Sequence, residues 1–223
     1  MSSHLVVFAK NPVPGEVKTR LLSRYSPEQA AEIYRAFILD TLDSAEGLDQ
    51  VQRHIAFTPG DAKKVFSKMV SDDWHLLPQR GADLGERMDA AVLYCLKQGA
   101  SRVVVIGTDI PSLPLHHLER AFQLLAGKQL VLGPSTDGGY YLVGLTQPTS
   151  EIFRSISWGT DRVFAQTINR ALVFDLSIGL VPPWYDVDSP AELDFLIAHQ
   201  TAMSHEGSPP CIPYTQACLS TLT

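Results

Sequence analysis

Cysteine is scarce: Cys95, Cys211 and Cys218 are the three in 223 residues, and none is spaced as CxxC. This argues against a disulfide framework and against a structural zinc site built on closely spaced ligands. Long apolar runs are missing as well. The run at 103–106 falls far short of the roughly 20 residues that a bilayer span requires. Residues 1–4 (MSSH) lead straight into an apolar run, without a basic segment or a long hydrophobic stretch. No signal peptide is therefore expected, and the expected compartment is the cytoplasm. A basic surplus is absent too: 18 Lys and Arg stand against 24 Asp and Glu, a formal charge of −6. That balance argues against a nucleic-acid binder, and no membrane partner is expected. No internal repeat or low-complexity segment is visible.

Hydrophobic residues make up 45% of the chain, enough to bury a sizeable core. The length suits one large domain. The charge, however, is unevenly spread. Lys10, Lys18, Arg20 and Arg24 fall close together against the single acid Glu16. An acidic chain with one local basic loop points to a small anionic ligand such as a phosphate.

Strand-like and helix-like segments alternate. Residues 5–9 (LVVFA) form a short continuous apolar run, as in a strand buried on both faces. Ser26-Pro27-Glu28-Gln29 spells a helix start, with Ile33, Phe37, Leu39 and Leu42 roughly on one face behind it. Residues 54–57 read as a strand, 61–70 as a short helix and 74–77 as a further strand. Residues 83–98 carry the clearest helical period, capped by Asp83, with Glu86 placed to close the capping box and Gly99 at the end. Cys95 falls on its apolar face and is expected in the core. Residues 102–107 (RVVVIG) are the strongest strand and are expected near the sheet centre.

Further along, 115–125 read as helix, with the adjacent His116 and His117 expected on the surface. Residues 130–133 and 140–145 read as strands around the turn Ser135-Thr136-Asp137-Gly138-Gly139, and 160–171 as helix. A strand interrupted by Pro182-Pro183 is expected within 179–187. Ser189-Pro190-Ala191-Glu192 again spells a cap and opens a helix to about residue 205. The expected division is one domain over 1–205 and a C-terminal tail over 206–223, which shows no periodicity. The alternation predicts an α/β fold: a doubly wound, mostly parallel sheet with helices on both faces. In such sheets ligands bind beyond the carboxyl ends of the strands.

Five loops at those ends carry candidate chemistry. The first, residues 10–20, offers Gly15 for close backbone approach and Lys18 and Arg20 as phosphate partners. It matches neither GxGxxG nor the Walker pattern, so a P-loop NTPase is not expected. The second places Asp109 just after the most apolar strand. The third holds Asp186 and Asp188 at i and i+2 on an extended segment, with side chains on one side. Carboxylates placed so repel unless a cation or donor lies between them, which suits Mg²⁺ held through one or two carboxylates plus substrate phosphates. The fourth contains Asp137, Gly138 and Gly139. The fifth contains Asp83, Gly85 and Arg87; a glycine in a first helical turn costs about 1 kcal/mol relative to alanine and is therefore conspicuous.

FAKNPVPGEVKTRL, ADLGERM, VVVIGTDIPSL, GPSTDGGYYLVGL and DVDSPAEL follow one another in this order. Together they resemble the bacterial DUF2064 family, which is glycosyltransferase-like and related to 2-phospho-lactate guanylyltransferases and molybdenum-cofactor nucleotidyltransferases. The wider group is the nucleotide-diphospho-sugar transferase superfamily, with a GT-A-like, Rossmann-like fold. The resemblance runs from about residue 4 to 200. It implies that Lys18 and Arg20 contact nucleotide phosphates, and that Asp109 and Asp188 hold Mg²⁺ or Mn²⁺. The family's common Gly before DLGERM is Ala82 here, and its common Thr in DTP is Ser189.

The expected partners are a nucleotide or nucleotide sugar and a small-molecule acceptor, and a homodimer stays open. Ala9, Lys10, Gly15, Lys18, Arg20, Asp83, Gly85, Arg87 and Thr108 are the candidate nucleotide-binding residues. Lys18, Arg20, Asp109 and Asp137 are the candidate catalytic residues. Gly138, Gly139 and Trp158 are candidates for the acceptor, although Trp158 also suits a loop anchor. Nucleotidyl transfer to an already ionised acceptor phosphate needs no general base, in keeping with the lack of an obvious base–nucleophile pair. Glycosyl transfer to a hydroxyl needs one, and Asp137 is the candidate. A nucleotide-binding module without turnover is the third alternative. Asp83, Asp109, Asp137, Asp186 and Asp188 are all expected along one edge of the sheet.

Overall fold

A computed structural model describes residues 2–207 and 211–222. Seven strands form one sheet: β1 (Ser2–Lys10), β2 (Val51–Thr58), β3 (Trp74–Pro78), β4 (Ala100–Ile106), β5 (Leu130–Pro134), β6 (Tyr140–Leu145) and β7 (Ile178–Leu180). Their spatial order is β3-β2-β1-β4-β6-β5-β7. All neighbours pair in parallel except β6, which runs antiparallel to both β4 and β5. The helices are α1 (Pro27–Glu46), α2 (Lys63–Phe66), α3 (Leu84–Lys97), α4 (Leu115–Leu124), α5 (Val163–Val173), α6 (Pro190–Glu206) and α7 (Pro213–Thr221). The chain thus has the α/β, mostly parallel, doubly wound fold expected of it. No helix among the described residues is long and apolar enough to cross a membrane.

The period-2 alternation of strands explains the two-sided core. Leu5, Val7, Val104 and Ile106 point to one face, against α1, α4 and α6. Val6, Val103 and Val105 point to the other, against α3 and α5. Chain order reverses at β1: β2 and β3 extend to one side, while β4 lies on the other. The crevice between the ends of β1 and β4 is therefore the topological switch point.

The caps form as the sequence spells them. Ser26 with Gln29, and Ser189 with Glu192, make complete capping boxes with Pro at the helix start. Asp83 accepts from Glu86 N at 2.8 Å, but the Glu86 side chain reaches Ala82 N instead of closing the box on Asp83. Gly99 follows α3 with φ +91°.

Several elements differ from the sequence reading. The helix over 61–70 shrinks to Lys63–Phe66, preceded by a 3-10 turn at Gly60–Ala62. The strand within 179–187 is confined to Ile178–Leu180. Pro182 and Pro183 lack the N–H groups needed to continue the ladder. His117 is not on the surface: its Nδ1 lies 2.9 Å from Tyr141 Oη in the core, while His116 is exposed.

The segment 206–223 lacks helical periodicity, yet α7 forms within it and docks on α1. Ile212 and Thr215 are fully buried there. Asp40, itself buried in α1, accepts from Tyr214 N at 2.8 Å and Thr215 N at 2.9 Å, satisfying the open end of α7. This second contact explains why α1 buries the polar Asp40 beyond the foreseen stripe, whereas Leu39 stays half-buried. Pro209, within the expected tail, lies outside the described residues.

Candidate functional site

The first loop leaves β1 at the switch point. Lys10 Nζ donates to Glu16 O at 2.7 Å and closes the loop on itself. Gly15 turns the chain at φ +79°, on the exposed outer side. Lys18 follows in a left-handed conformation, φ +46°, which costs a non-glycine residue about 1–2 kcal/mol. That conformation turns its side chain inward, where only 3% of it is exposed.

All three ammonium protons of Lys18 have acceptors. It donates to Val187 O and Asp188 Oδ1, each at 2.8 Å, and forms a close ion pair with Asp109 Oδ1. The rings of Tyr34 and Phe37 lie 5.6 and 5.3 Å below it. Burial disfavours the charge, but the two carboxylates more than compensate, and the Lys18 pKa is raised. Asp109 and Asp188 thus converge, as the sequence implies, but on Lys18. Arg20 is largely exposed and reaches Asp188 Oδ2 at 3.4 Å.

Two further ties fix the crevice. Val187 N donates to Asp109 O at 2.8 Å, joining the two aspartate segments through the backbone. Tyr34 joins β1 to the β4 loop: Lys10 N donates to its Oη at 3.0 Å, and that Oη lies 2.9 Å from Thr108 Oγ1. Burial, with a smaller contribution from Asp109, pushes the Tyr34 phenol up to about 12. On the far side, Asp186 accepts a close hydrogen bond from Ser135 Oγ. Its carboxyl is pushed up to about 7, first by burial and then by repulsion from Asp137, Asp109 and Asp188. The period-2 alternation holds here: Val187 is buried, while Asp186 and Asp188 both face the cleft.

The cleft has a volume of about 650 Å³. Among the expected site residues, Ala9, Lys10, Arg20, Arg87 and Thr108 line it on the side of the first loop and α3. Asp109, Asp137, Gly139, Trp158 and Asp188 complete the wall. Asp137 lies at the same edge as Asp109 because β5, which leads into its turn, runs in the direction of β4. One of its oxygens holds the turn, accepting from Gly139 N at 2.8 Å.

Gly15, Lys18, Asp83, Gly85 and Gly138 do not line the cleft. Lys18 lies beneath its floor, and Asp83 is spent as the cap of α3. Gly85 is explained by packing, since a Cβ there would lie 2.5 Å from the Trp158 ring and 2.9 Å from Phe153 O. Gly138 combines φ +90° with an approach that would set a Cβ 2.3 Å from Asp161 O. Trp158 therefore both lines the cleft and anchors its loop on α3.

Sequence reasoning assigned no role to Tyr34 or Ser135, and none to Asp186 beyond its carboxylate pairing. Tyr34 carries no signal that separates it from a core aromatic. The alternating Asp186-Val187-Asp188 is the one local pattern that pointed this way.

A divalent cation is implied by the resemblance. The donor set fits one: the carboxylates lining the cleft are those of Asp109, Asp137, Asp161, Asp186 and Asp188, hard ligands suited to Mg²⁺ or Mn²⁺. Asp109 and Asp188 are 50% and 37% exposed, so both remain open to the cleft.

The family model of DUF2064, described as uncharacterized proteins conserved in bacteria, matches residues 41–160. A crystal structure of a proposed nucleotide-diphospho-sugar transferase from Desulfovibrio desulfuricans is similar along nearly the whole chain. The identity is 34% and the TM-score 0.89, covering 99% of this chain and 95% of that one. A CMP:2-keto-3-deoxy-manno-octonic acid synthetase solved with CTP shares the fold at 11% identity and TM-score 0.59, covering 91% and 99% of the two chains. The 4-diphosphocytidyl-2C-methyl-D-erythritol synthase of Anaerococcus prevotii does so at 9% and 0.61, covering 90% and 96%. No curated protein matches in sequence.

Proposed function

The chain belongs to the DUF2064 family, and from that premise we propose that it is a metal-dependent transferase acting on a nucleotide, moving a nucleotidyl group to a small phosphorylated acceptor. The observation that carries this reading is the convergence of Asp109 and Asp188 on Lys18 beneath the cleft, with Lys10, Arg20 and Arg87 along one wall. Carboxylates held together at a switch point, beside cations that can meet phosphates, suit an anionic substrate brought in with a cation. The fold shared with two cytidylyl-type enzymes is compatible with it.

In the proposed reaction an acceptor phosphate oxygen forms a bond to the α-phosphorus of a nucleoside triphosphate, and the bond to pyrophosphate breaks in line. The acceptor is already ionised at neutral pH, so no side chain has to remove a proton. Lys10, Arg20 and Arg87 bind and orient the phosphates; Thr108 and Ala9 border the nucleotide at the strand ends. Mg²⁺ or Mn²⁺, held by Asp109 and Asp188, would supply neutralisation of the charge that develops on the phosphates. Phosphates compete with Asp109 and Asp188 for the Lys18 ammonium, so contact through Lys18 requires exchange of one of those bonds. Trp158 and the Gly138-Gly139 turn border the acceptor.

Glycosyl transfer from a nucleotide sugar is the second reading, favoured by the name of the 34%-identical structure. Asp137, exposed at the rim, would then serve as the base for a hydroxyl acceptor. A thermal-shift panel of nucleoside triphosphates and nucleotide sugars, with and without Mg²⁺, separates the two. Mg²⁺-dependent stabilisation by a triphosphate, followed by pyrophosphate release with phosphorylated acceptors, supports nucleotidyl transfer. Stabilisation by nucleotide sugars alone supports glycosyl transfer, and no response to either class would sink both.

A further inference from the structure

Away from the cleft, β1, β2 and α3 bring together His4, His54 and Cys95. A ligand atom from each lies within 4.8 Å of the others, and all three residues are buried. No other group of three or more such side chains meets this spacing among the described residues. The register explains the meeting. His54 pairs with Val6, two residues beyond His4 on β1, so both imidazoles project from the same sheet face as Val6. Cys95 comes down on that face from α3, beside Ala91 and Val92. None of the three lines the cleft.

Packing alone accounts poorly for this group. His54 Nε2 lies 3.0 Å from His4 Nδ1, and the two rings are stacked with centroids 5.0 Å apart. Their other nitrogens differ: His4 Nε2 meets Ser2 Oγ at 3.1 Å, whereas His54 Nδ1 is buried with no partner. An unmade hydrogen bond at a buried nitrogen costs about 1–3 kcal/mol, and an apolar residue at position 54 would remove that cost. Two imidazoles and a thiol converging inside a protein are a donor set for a thiophilic or borderline transition metal, not for Mg²⁺.

We propose that His4, His54 and Cys95 form a His₂Cys metal site of the zinc type, separate from the carboxylate cleft, that ties β1, β2 and α3 together. Zn–N distances of about 2.0–2.1 Å and Zn–S of about 2.3 Å set tetrahedral ligands about 3.3–3.6 Å apart. The two facing nitrogens are already near that separation, and Cys95 needs to close by at most about 1.2 Å. Metal entry releases the Cys95 thiol proton to solvent, so sulfur binds as thiolate. The hydrogen shared between the rings moves to a ring nitrogen that the metal does not use. His75, exposed, has its ring centroid 4.9 Å from that of His54. No short-spaced motif announces the site because its ligands come from three separate elements.

The test uses Co²⁺, whose thiolate complexes show a near-ultraviolet charge-transfer band and whose tetrahedral complexes absorb visibly. The full chain is refolded with one equivalent of Co²⁺, so that burial does not limit entry. The expected result is a charge-transfer band that saturates at one equivalent and is abolished by Zn²⁺. The band is lost in Cys95→Ala and retained in the Cys211→Ser/Cys218→Ser double variant. No band in the wild-type chain, or one that follows Cys211 and Cys218, overturns the proposal. Should Cys95→Ala not fold, X-ray absorption of the wild-type Zn²⁺ complex decides: one sulfur with two imidazoles supports the site, and a shell without sulfur overturns it. The oxygen-only cleft gives no thiolate band, so the outcome is independent of the proposed transfer reaction.

Discussion

Lys18 donates to Asp188 at 2.8 Å across 170 residues of chain, and the same ammonium pairs with Asp109. One buried cation therefore holds the first loop, the β4 loop and the segment before α6 in register. Removing it leaves two carboxylates facing each other. We expect Lys18→Met to lower stability by about 1–3 kcal/mol, below the usual cost of breaking a buried pair because both aspartates are part-exposed. Mg²⁺ should raise the melting temperature of Lys18→Met more than that of the wild type, since it replaces the missing charge. Equal shifts in the two proteins would show that the carboxylates do not bind the ion together.

Asp109→Asn and Asp188→Asn should each reduce metal-dependent turnover by about 100-fold or more, the scale on which charge-stabilising groups act. The fold should persist with a modest loss of stability, because the other carboxylate still pairs with Lys18 and the backbone bond from Val187 N to Asp109 O keeps both segments in place. Near-normal activity in either variant, measured by pyrophosphate release, would remove the metal assignment.

Gly85→Ala tests whether packing explains that glycine. Its Cβ would lie 2.5 Å from the Trp158 ring and 2.9 Å from Phe153 O. The alanine gains about 1 kcal/mol of helix propensity, yet overpacking of this kind costs about 1–3 kcal/mol. We expect a net loss of stability, partly restored by Trp158→Leu, and a higher KM for the acceptor. A more stable Gly85→Ala protein would contradict the packing account.

The docking of α7 has a pH signature. Burial pushes the Asp40 carboxyl up to about 6, against an ordinary value of 3.8, although the Thr215 side chain and two backbone N–H groups oppose the shift. A raised carboxyl binds its proton more tightly in the folded chain. This group therefore favours folding most below pH 3.8, loses that contribution as pH rises to about 6, and is flat above. The full swing is on the order of 3 kcal/mol. Chemical denaturation across this window should show the fall, and Asp40→Asn should flatten it. An unchanged slope in Asp40→Asn would assign it to other groups.

Much of the architecture was legible because it rests on local signals. The strands over 5–9 and 102–107 are apolar on both faces, as a central parallel strand must be, and the caps at Ser26, Asp83 and Ser189 mark helix starts. Residues facing the cleft follow from the rule that ligands bind at the carboxyl ends of parallel strands, which brings Asp109, Asp137 and Asp188 to one edge. Contacts that depend on distant partners were not legible. Tyr34 looks like any apolar-face aromatic until Thr108 and Lys10 N come within bonding distance. The N-terminal turn of α7 is satisfied by Asp40, on a helix far earlier in the chain, so its own sequence carries little sign of it. Lys18 reads as a phosphate ligand because its burial depends on residues 109 and 188.

The bond from Val187 to Asp109 also sets an order of events during synthesis. A domain folds as a unit, and here β1 to β4 all precede residue 107 in the chain. Asp109 and Lys18 then wait for a partner that is made late, because Val187 and Asp188 arrive only after β5, β6 and α5. The switch point is therefore completed only by the last sixth of the chain. A truncation just before residue 188 would keep all seven strands yet remove one of the two carboxylates that meet on Lys18.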